Sequence, residues 1–194
     1  RYVKIDALGS NGGWASIWEF KALGTTLLEL PTVDSAISEK EIELLKTVKV
    51  PEGYEATIFA APPAVNYPTF VKAAENGVVF ISSDKNGSLA RDPFRGSILR
   101  AVDFDGDGRA DQVNRFVPNL DSPRGLEWDG EWLYCLHPPH ISRFRDTDGD
   151  GVADETQRIV SGIAFDFSGR PADHTSNGIT LGIDGWLYCA IGDF

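Results

Sequence analysis

Two acidic loops hold the residues with the clearest potential chemistry in this chain. Each loop places aspartates at positions one, three, five and nine and a glycine at position six. This spacing wraps oxygen ligands around a hard cation, and the glycine permits the sharp bend that the loop needs. The backbone carbonyl of position seven adds a further ligand. The predicted calcium ligands are Asp103, Asp105, Asp107, Arg109 and Asp111 in the first loop, and Asp146, Asp148, Asp150, Val152 and Asp154 in the second.

These loops resemble EF-hand loops but differ from them at position twelve. An EF-hand has a bidentate glutamate there, whereas this chain has Asn114 and Gln157, and the flanking segments read as strands. The alternative is a pair of Asp-Gly turns that bind nothing. Because five positions match in two full copies, the sequence favours calcium in a structural role. The ion would offset the repulsion between closely spaced carboxylates.

A histidine and an aspartate form the second chemical candidate. His174 begins, and Asp193 ends, a predicted pair of strands that the turn Asp184–Gly185 joins. Antiparallel strands bring these two ends to the same edge of a sheet. A carboxylate beside an imidazole raises its basicity and fixes its tautomer, as in a general base. The alternative is a structural hydrogen bond between the two residues, and the spacing alone does not decide between them.

The predicted strand pair belongs to a repeat. Phe80, Tyr134 and Tyr188 lie 54 residues apart, each in an apolar strand that follows an Asn-Gly or Asp-Gly turn. A period of this length filled with short strands predicts β-propeller blades. The expected strands of the middle copy are 125–128, 132–136, 141–145 and 155–160; those of the first copy include 68–74, 97–104 and 112–117. We therefore predict an all-β fold, a partial propeller of about two complete blades and part of a third.

The regions before the repeat have a different character. Residues 1–26 read as two strands that resemble the end of a discoidin-like or galactose-binding-like β-sandwich, with an arbitrary hairpin as the alternative. Residues 27–50 read as a linker with a short helix that Asp34 caps and that ends near Lys46. The propeller part is predicted at 51–194 and starts with a lone strand over 51–60. Propellers typically have about four to eight blades, so we expect this chain to be part of a larger protein.

Composition narrows the range of partners. The formal net charge is −11, which argues against nucleic acid as a partner. No apolar run is long enough to span a bilayer. Cys135 and Cys189 occupy equivalent positions in successive repeats, so we expect two small core residues rather than a disulfide.

Blade topology predicts which connections share a face. The one–two and three–four turns, including both acidic loops, lie on one face of the propeller. The two–three and four–one connections lie on the opposite face, here called the histidine face because all three histidines belong to it. We expect a ligand site on the histidine face near the central channel. Weaker candidates for substrate or cofactor contacts there are Arg124, His137, His140 and Asn177, although Arg124 can instead pair with Asp121.

The segment that starts at His174 also carries a family resemblance. Its pattern His-x-x-Asn-Gly, Leu-Gly-x-Asp-Gly-x-Leu-Tyr and Gly-Asp resembles the glucose/sorbosone dehydrogenases, which are β-propeller quinoproteins that use pyrroloquinoline quinone (PQQ) and calcium. Residues 51–194 are similar to a membrane-bound dehydrogenase propeller family of planctomycete-type bacteria. Further matching segments are Pro51–Tyr54, Asn66–Pro68, Asp121–Leu126, Leu136–Pro139 and Asp173–Gly178. The sequence departs from the sugar dehydrogenase pattern at Ser176 and Asn177, where a glycine is usual.

The resemblance implies a periplasmic or extracellular enzyme that oxidises a sugar or polyol. In this family the histidine, here His174, takes the substrate hydroxyl proton, and the aspartate, here Asp193, supports it. The resemblance also implies a c-type cytochrome as electron acceptor, encoded outside this segment, and quinone contacts further downstream. Two other classes stay open: a non-catalytic propeller that binds glycan or protein, and a lactonase-like hydrolase, for which only Asn177 qualifies here as a metal ligand.

Overall fold

The structure is a computed structural model that describes residues 37–87, 89–164, 169 and 175–192. Within these residues the chain is almost entirely β structure with one short helix, which confirms the predicted all-β class. The predicted sandwich piece at 1–26, the start of the linker, and both His174 and Asp193 lie outside the described residues.

The helix of the linker, α1, spans Glu39–Leu45 and begins at a different cap from the one predicted. Ser38 caps it: its hydroxyl accepts the backbone N–H of Glu41, and the Glu41 carboxylate accepts the backbone N–H of Ser38 at 2.8 Å. This reciprocal pair satisfies two donors that a helix start leaves unpaired. The prediction of Asp34 as the cap was therefore wrong. No residue of α1 is buried.

Within the described residues, ten strands form two complete antiparallel sheets and one pair. Sheet one has the order β1-β2-β3-β4, sheet two β5-β6-β7-β8, and sheet three β9-β10. Neighbours in sequence are thus neighbours in each sheet, as short turns require. The strands are β1 Pro68–Ala73, β2 Val78–Ser83, β3 Ser97–Val102, β4 Gln112–Val117, β5 Gly125–Trp128, β6 Leu133–His137, β7 His140–Arg145, β8 Glu155–Ser161, β9 Ile179–Leu181 and β10 Leu187–Cys189.

Sheets one and two repeat each other in detail. The second and third strands pair Phe80 with Arg100 in sheet one and Tyr134 with Arg143 in sheet two. A register shift also recurs at the same place, after Ile98 in β3 and after Ile141 in β7. This agreement confirms the repeat that was read from the sequence.

The sheets pack face to face through apolar side chains that alternate along the strands. A fully buried cluster joins sheets one and two, with Phe80, Ile98 and Phe116 on one side and Leu126 and Leu133 on the other. A second cluster joins sheet two to sheet three and is formed by Leu136, Ile141 and Ile179. Burial of such side chains contributes roughly 1.5–3 kcal/mol each.

The first strands of the three sheets lie beside one another. β1 contacts β5, and β5 contacts β9. The approach between β5 and β9 is close: a Cβ on Gly125 would lie 2.9 Å from the backbone nitrogen of Ile179. Glycine is therefore required at the start of β5, because any side chain would push the two sheets apart.

Two local predictions need correction. Residues 51–60 form no strand, although the carbonyl of Phe59 accepts the backbone N–H of Ala110 at 2.8 Å. The segment lacks a ladder partner along its length, so it stays extended without forming a sheet. The third strand of sheet one ends at Val102 rather than at residue 104, because Asp103 already belongs to the acidic loop.

No helix among the described residues is long and apolar enough to cross a membrane. Cys135 is buried and Cys189 half-buried, and both are free thiols, as expected from their equivalent positions.

Candidate metal loops and the histidine face

Each acidic loop brings three carboxylates together. One oxygen from each of Asp103, Asp105 and Asp111 lies within 4.8 Å of the others in the first loop. The equivalent aspartates of the second loop, Asp146, Asp148 and Asp154, form the same cluster. Both loops connect the third and fourth strands of their sheets, as predicted. Carboxylates at this separation repel each other unless a cation or proton neutralises them.

The fifth-position aspartates take a different role. Asp107 accepts the backbone N–H of Arg109 at 2.8 Å, and Asp150 accepts that of Val152 at 2.8 Å. Neither of these carboxylates belongs to the three-membered clusters. The structure thus groups three of the four predicted carboxylates in each loop.

The first aspartate of each loop organises the bend. Asp103 accepts backbone N–H groups from Gly106 at 2.7 Å and from Gly108 at 3.0 Å. Asp146 accepts the equivalent groups of Gly149 and Gly151 at 2.7 and 2.8 Å. Burial favours the neutral acid, but these donors outweigh it and hold the pKa of Asp103 below its ordinary value. Asp103 therefore stays ionised, as a cation ligand must be.

Each loop is also tethered to the element that precedes its sheet. Ala110 donates its backbone N–H to Phe59, and Ala153 donates its own to Phe116 in β4, at 2.8 and 2.9 Å. In both loops a side chain from that element also donates a hydrogen bond to the backbone carbonyl of the loop's second glycine. These donors are Thr57 Oγ1 to Gly108 at 3.1 Å and Asn114 Nδ2 to Gly151. The extended segment around Thr57 thus occupies, relative to sheet one, the place that β4 occupies relative to sheet two.

On the histidine face, His137 and His140 flank the turn between β6 and β7. Their ring centroids are 5.7 Å apart, and His137 Nε2 lies 2.8 Å from Ser142 Oγ. Burial of the ring, with His140 and Arg158 as positive neighbours, lowers the pKa of His137 to about 4. His137 is therefore a neutral, buried side chain at physiological pH.

Arg124 pairs with Asp84 and not with Asp121, the partner that the sequence offered as the alternative to a ligand contact. Its guanidinium pairs with Asp84 at 2.7 Å, and the Asp84 side chain is fully buried. Asp121 instead accepts the backbone N–H of Phe94. The backbone carbonyl of Arg124 also accepts the N–H of Gly178 at 2.9 Å. Arg124 therefore ties sheet one, sheet two and the start of sheet three together.

The weaker candidates do not form one site. His137 and His140 line a cleft to which neither Arg124 nor Asn177 contributes. Asn177 is exposed and lines a separate surface with Phe70, and its backbone N–H bonds to Ala190 at 3.1 Å. The residues just before it, Thr175 and Ser176, are buried, and their hydroxyls have no hydrogen-bond partner among the described residues. Buried polar groups of this kind are rare and call for a partner.

Glu127 in β5 is a residue that the sequence reading missed. Its carboxylate pairs with Lys72 in β1 and accepts the backbone N–H of Leu181 in β9 at 3.2 Å. It therefore links the first strands of all three sheets, although only 7% of its side chain is exposed. The available signal was a glutamate placed inside an otherwise apolar strand.

These features define an all-β protein built from a repeated antiparallel unit with paired acidic loops. Residues 40–194 match the family model described as a domain of unknown function, DUF7133, and the chain belongs to that family. No curated protein matches the chain. Among solved structures, a luciferin-regenerating enzyme is similar, with a TM-score of 0.44 and 16% sequence identity. The similarity covers 63% of this chain and 38% of that enzyme's chain, so this chain spans well under half of its length.

Proposed function

We propose that this chain forms part of a β-propeller whose consecutive blades are held together by calcium. Two four-stranded meanders with adjoining first strands are the arrangement that propeller blades adopt around a central channel. Sheets one and two are the complete blades, and β9-β10 is the inner half of a third. The chain is then a segment of a larger scaffold.

One observation carries the calcium assignment: the same loop occurs twice, with the same carboxylate cluster and the same tether. A bound cation removes the repulsion between the three carboxylates and so fixes the loop shape. The second loop is bonded to β4 of sheet one, so fixing that loop also fixes the seam between the two blades. The first loop is bonded to the segment around Thr57 and Phe59, which precedes sheet one. Calcium accordingly acts as a structural ion at each of these two contacts.

The missing position-twelve glutamate predicts modest affinity. Calcium loops with fewer charged ligands fall in the range of about 10⁻⁴–10⁻³ M that is typical of extracellular modules. Such sites fill where calcium is abundant, which agrees with the proposed periplasmic or extracellular location.

Thermal melting tests the scaffold role. Calcium should raise the melting temperature of the full chain, and a chelator should reverse the rise, because a ligand of the native state stabilises it by mass action. Magnesium at the same concentration should raise the melting temperature less, since it requires a tighter octahedral site. An unchanged melting temperature with calcium would mean that the loops are turns that bind no calcium.

A second proposal concerns chemistry at the histidine face. The motif that starts at His174 supports oxidation of a sugar or polyol, with His174 as the base and Asp193 as its orienting carboxylate. The structural support is the adjacent pair Thr175 and Ser176, whose buried hydroxyls have no partner within the described part of the chain, which a bound ligand would explain. The proposed electron acceptor is a c-type cytochrome.

The described residues do not by themselves fit the quinone of the resembling enzymes. PQQ carries several carboxylates, so its binding requires cationic donors near the central channel. Among the described residues of the first strands, Lys72 is the one cation, and it is already paired with Glu127. The quinone part of the resemblance therefore depends on residues outside the described ones.

Activity of the His174→Ala variant tests the proposed base. Loss of a positioned general base typically lowers turnover about 10²–10⁴-fold. The melting temperature should stay nearly unchanged, and Asp193→Asn should have a smaller effect on turnover. If turnover falls only in proportion to the folded fraction, His174 is a structural residue.

A further inference from the structure

The histidine face carries a basic groove on a chain that is otherwise strongly acidic. Two cavities of about 310 and 510 Å³ lie side by side and share Phe94 and Asn119 as walls. Lys85 and Arg115 line the smaller cavity, and Arg91 and Arg158 line the larger one. The larger cavity also contains one carboxylate, Asp121, which accepts the backbone N–H of Phe94. Together these residues are called the basic groove.

The cations of the basic groove have no acidic partners among the described residues. Several other basic side chains form ion pairs, such as Lys72 with Glu127 and Arg124 with Asp84. By contrast, Lys85, Arg91, Arg115 and Arg158 make no ion pair within the described part of the chain, although Arg91 donates to the backbone carbonyl of Gly169 at 3.3 Å. Four cations without an acidic partner among the described residues are unexpected in one groove at a net charge of −11, because the acidic residues could readily supply partners. The groove is therefore a candidate binding site for an anionic ligand.

The wall between the cavities presents an exposed aromatic ring. Phe94 is 66% exposed and has a left-handed backbone with φ of 60°. Its N–H bonds to Asp121, and the nearby Gly96 carbonyl accepts the N–H of Leu120 at 2.9 Å. A non-glycine residue in this conformation is strained, and such strain concentrates at ligand-binding sites. The structure thus holds a large apolar ring out toward solvent with cations on both sides.

We propose that the basic groove binds an anionic saccharide. The Phe94 ring would stack on the apolar face of a sugar ring, and the guanidinium groups would pair with its carboxylate or sulfate substituents, the geometry that arginine suits best. An acidic peptide presents a ring face to Phe94 only where it carries an aromatic residue. The net charge of −11 opposes any long polyanion, nucleic acid included, whereas a short anionic saccharide can lie within the groove. The assignment requires neither calcium binding nor oxidation chemistry.

Titration of the full chain with defined oligosaccharides tests this assignment. The probes are an oligogalacturonate, a sulfated galactan oligosaccharide and a neutral malto-oligosaccharide of the same length, with a single-stranded oligonucleotide as a fourth. We expect one or both anionic saccharides to bind, with affinity that falls as salt rises, and the neutral one not to bind. The stronger of the two identifies carboxylate or sulfate as the preferred substituent.

Two variants with equal loss of charge separate the groove from general attraction. Arg115→Gln combined with Arg158→Gln should weaken binding of the anionic saccharide about tenfold. Lys40→Gln combined with Lys49→Gln, in exposed positions outside the groove, should leave it unchanged. Phe94→Gly keeps the left-handed backbone but removes the ring, and should weaken saccharide binding while the melting temperature holds.

Several results would overturn the assignment. Equal binding of the neutral oligosaccharide, or equal affinity of the two double variants, would show that the groove does not recognise the anionic saccharide. The second of these results would also follow if the saccharide bound through calcium at the acidic loops. Binding of the oligonucleotide as tight as that of the saccharides, or no effect of Phe94→Gly, would show unspecific attraction of polyanions.

Discussion

Arg124 and Asp84 form a 2.7 Å ion pair between the second and first sheets, with the aspartate side chain fully buried. The two residues are 40 positions apart in the chain. Their pairing locks the turn after β2 to the entry of β5.

Replacement of Arg124 should therefore destabilise the fold. Arg124→Gln leaves the buried carboxylate of Asp84 without its cation, and loss of one partner of a buried pair costs about 3–5 kcal/mol. The same substitution in the exposed pair Arg95–Asp92 should change the free energy of unfolding by under about 0.5 kcal/mol. Urea denaturation of both variants measures the difference. Equal stability of the two variants would mean that the pair with Asp84 does not support the fold, so that a ligand contact would be the remaining role for Arg124.

Glu127 should contribute more than its single charge implies. Glu127→Gln weakens the contacts to Lys72 and Leu181 together, and we expect a loss of about 2–4 kcal/mol. Glu43→Gln, in an exposed pair with Lys46, is the matched control and should be nearly neutral. Equal losses in both variants would mean that Glu127 does not join the three sheets.

The same residue gives a pH signature. Burial favours the neutral acid, but Lys72 and the backbone donors outweigh it and lower the pKa of Glu127 below its ordinary value of 4.5. A depressed carboxyl pKa stabilises the native state above 4.5, and this contribution is lost as the pH falls through the native pKa. Below pH 4.5 the wild type should thus lose more stability than Glu127→Gln.

Protonation of His137 predicts a separate loss of stability at mildly acidic pH. Its native pKa of about 4 lies below the ordinary value of 6.5, because the ring is buried beside positive neighbours. Above pH 6.5 the imidazole is neutral in both states and contributes no pH dependence. As the pH falls from 6.5 toward 4, His137 binds a proton in the unfolded chain but not in the native state, so the free energy of unfolding decreases.

His137→Gln tests this directly, since glutamine does not titrate. Between pH 6.5 and 5 the wild type should lose up to about 2 kcal/mol more than the variant. Chemical denaturation at a series of pH values gives the two slopes. Parallel slopes would show that His137 titrates normally.

The sequence predicted the sheets well because their signals are local. The Asp-Gly turns before Leu133 and Leu187 and the recurring tyrosines located the strands to within one or two residues. The acidic loops were equally clear, because their aspartates lie within nine consecutive positions. Local signals gave one wrong prediction, the N-cap of α1. Asp34 and Ser38 are both good helix caps by residue type, but Ser38 forms the capping box with Glu41 and begins the helix.

Contacts between sheets could not be read from the sequence. The pairing of Arg124 with Asp84 depends on which turns meet in space, and the nearby Asp121 was an equally good partner by charge. Lys72 and Glu127 are likewise 55 positions apart and meet only because β1 lies beside β5. The predicted strand over 51–60 failed for the same reason, since a strand requires a partner that the sequence does not identify.

Calorimetric titration tests directly whether each acidic loop binds calcium. The full chain should bind calcium at two sites, and Asp105→Asn and Asp148→Asn should each remove one of them, because each substitution removes a carboxylate from one cluster. Asp92→Asn, which removes an exposed carboxylate outside both loops, should leave both sites intact. Two sites that are lost one at a time would support calcium in both acidic loops. No heat of binding up to millimolar calcium, or the same binding curve for all three variants, would show that the acidic loops do not hold calcium.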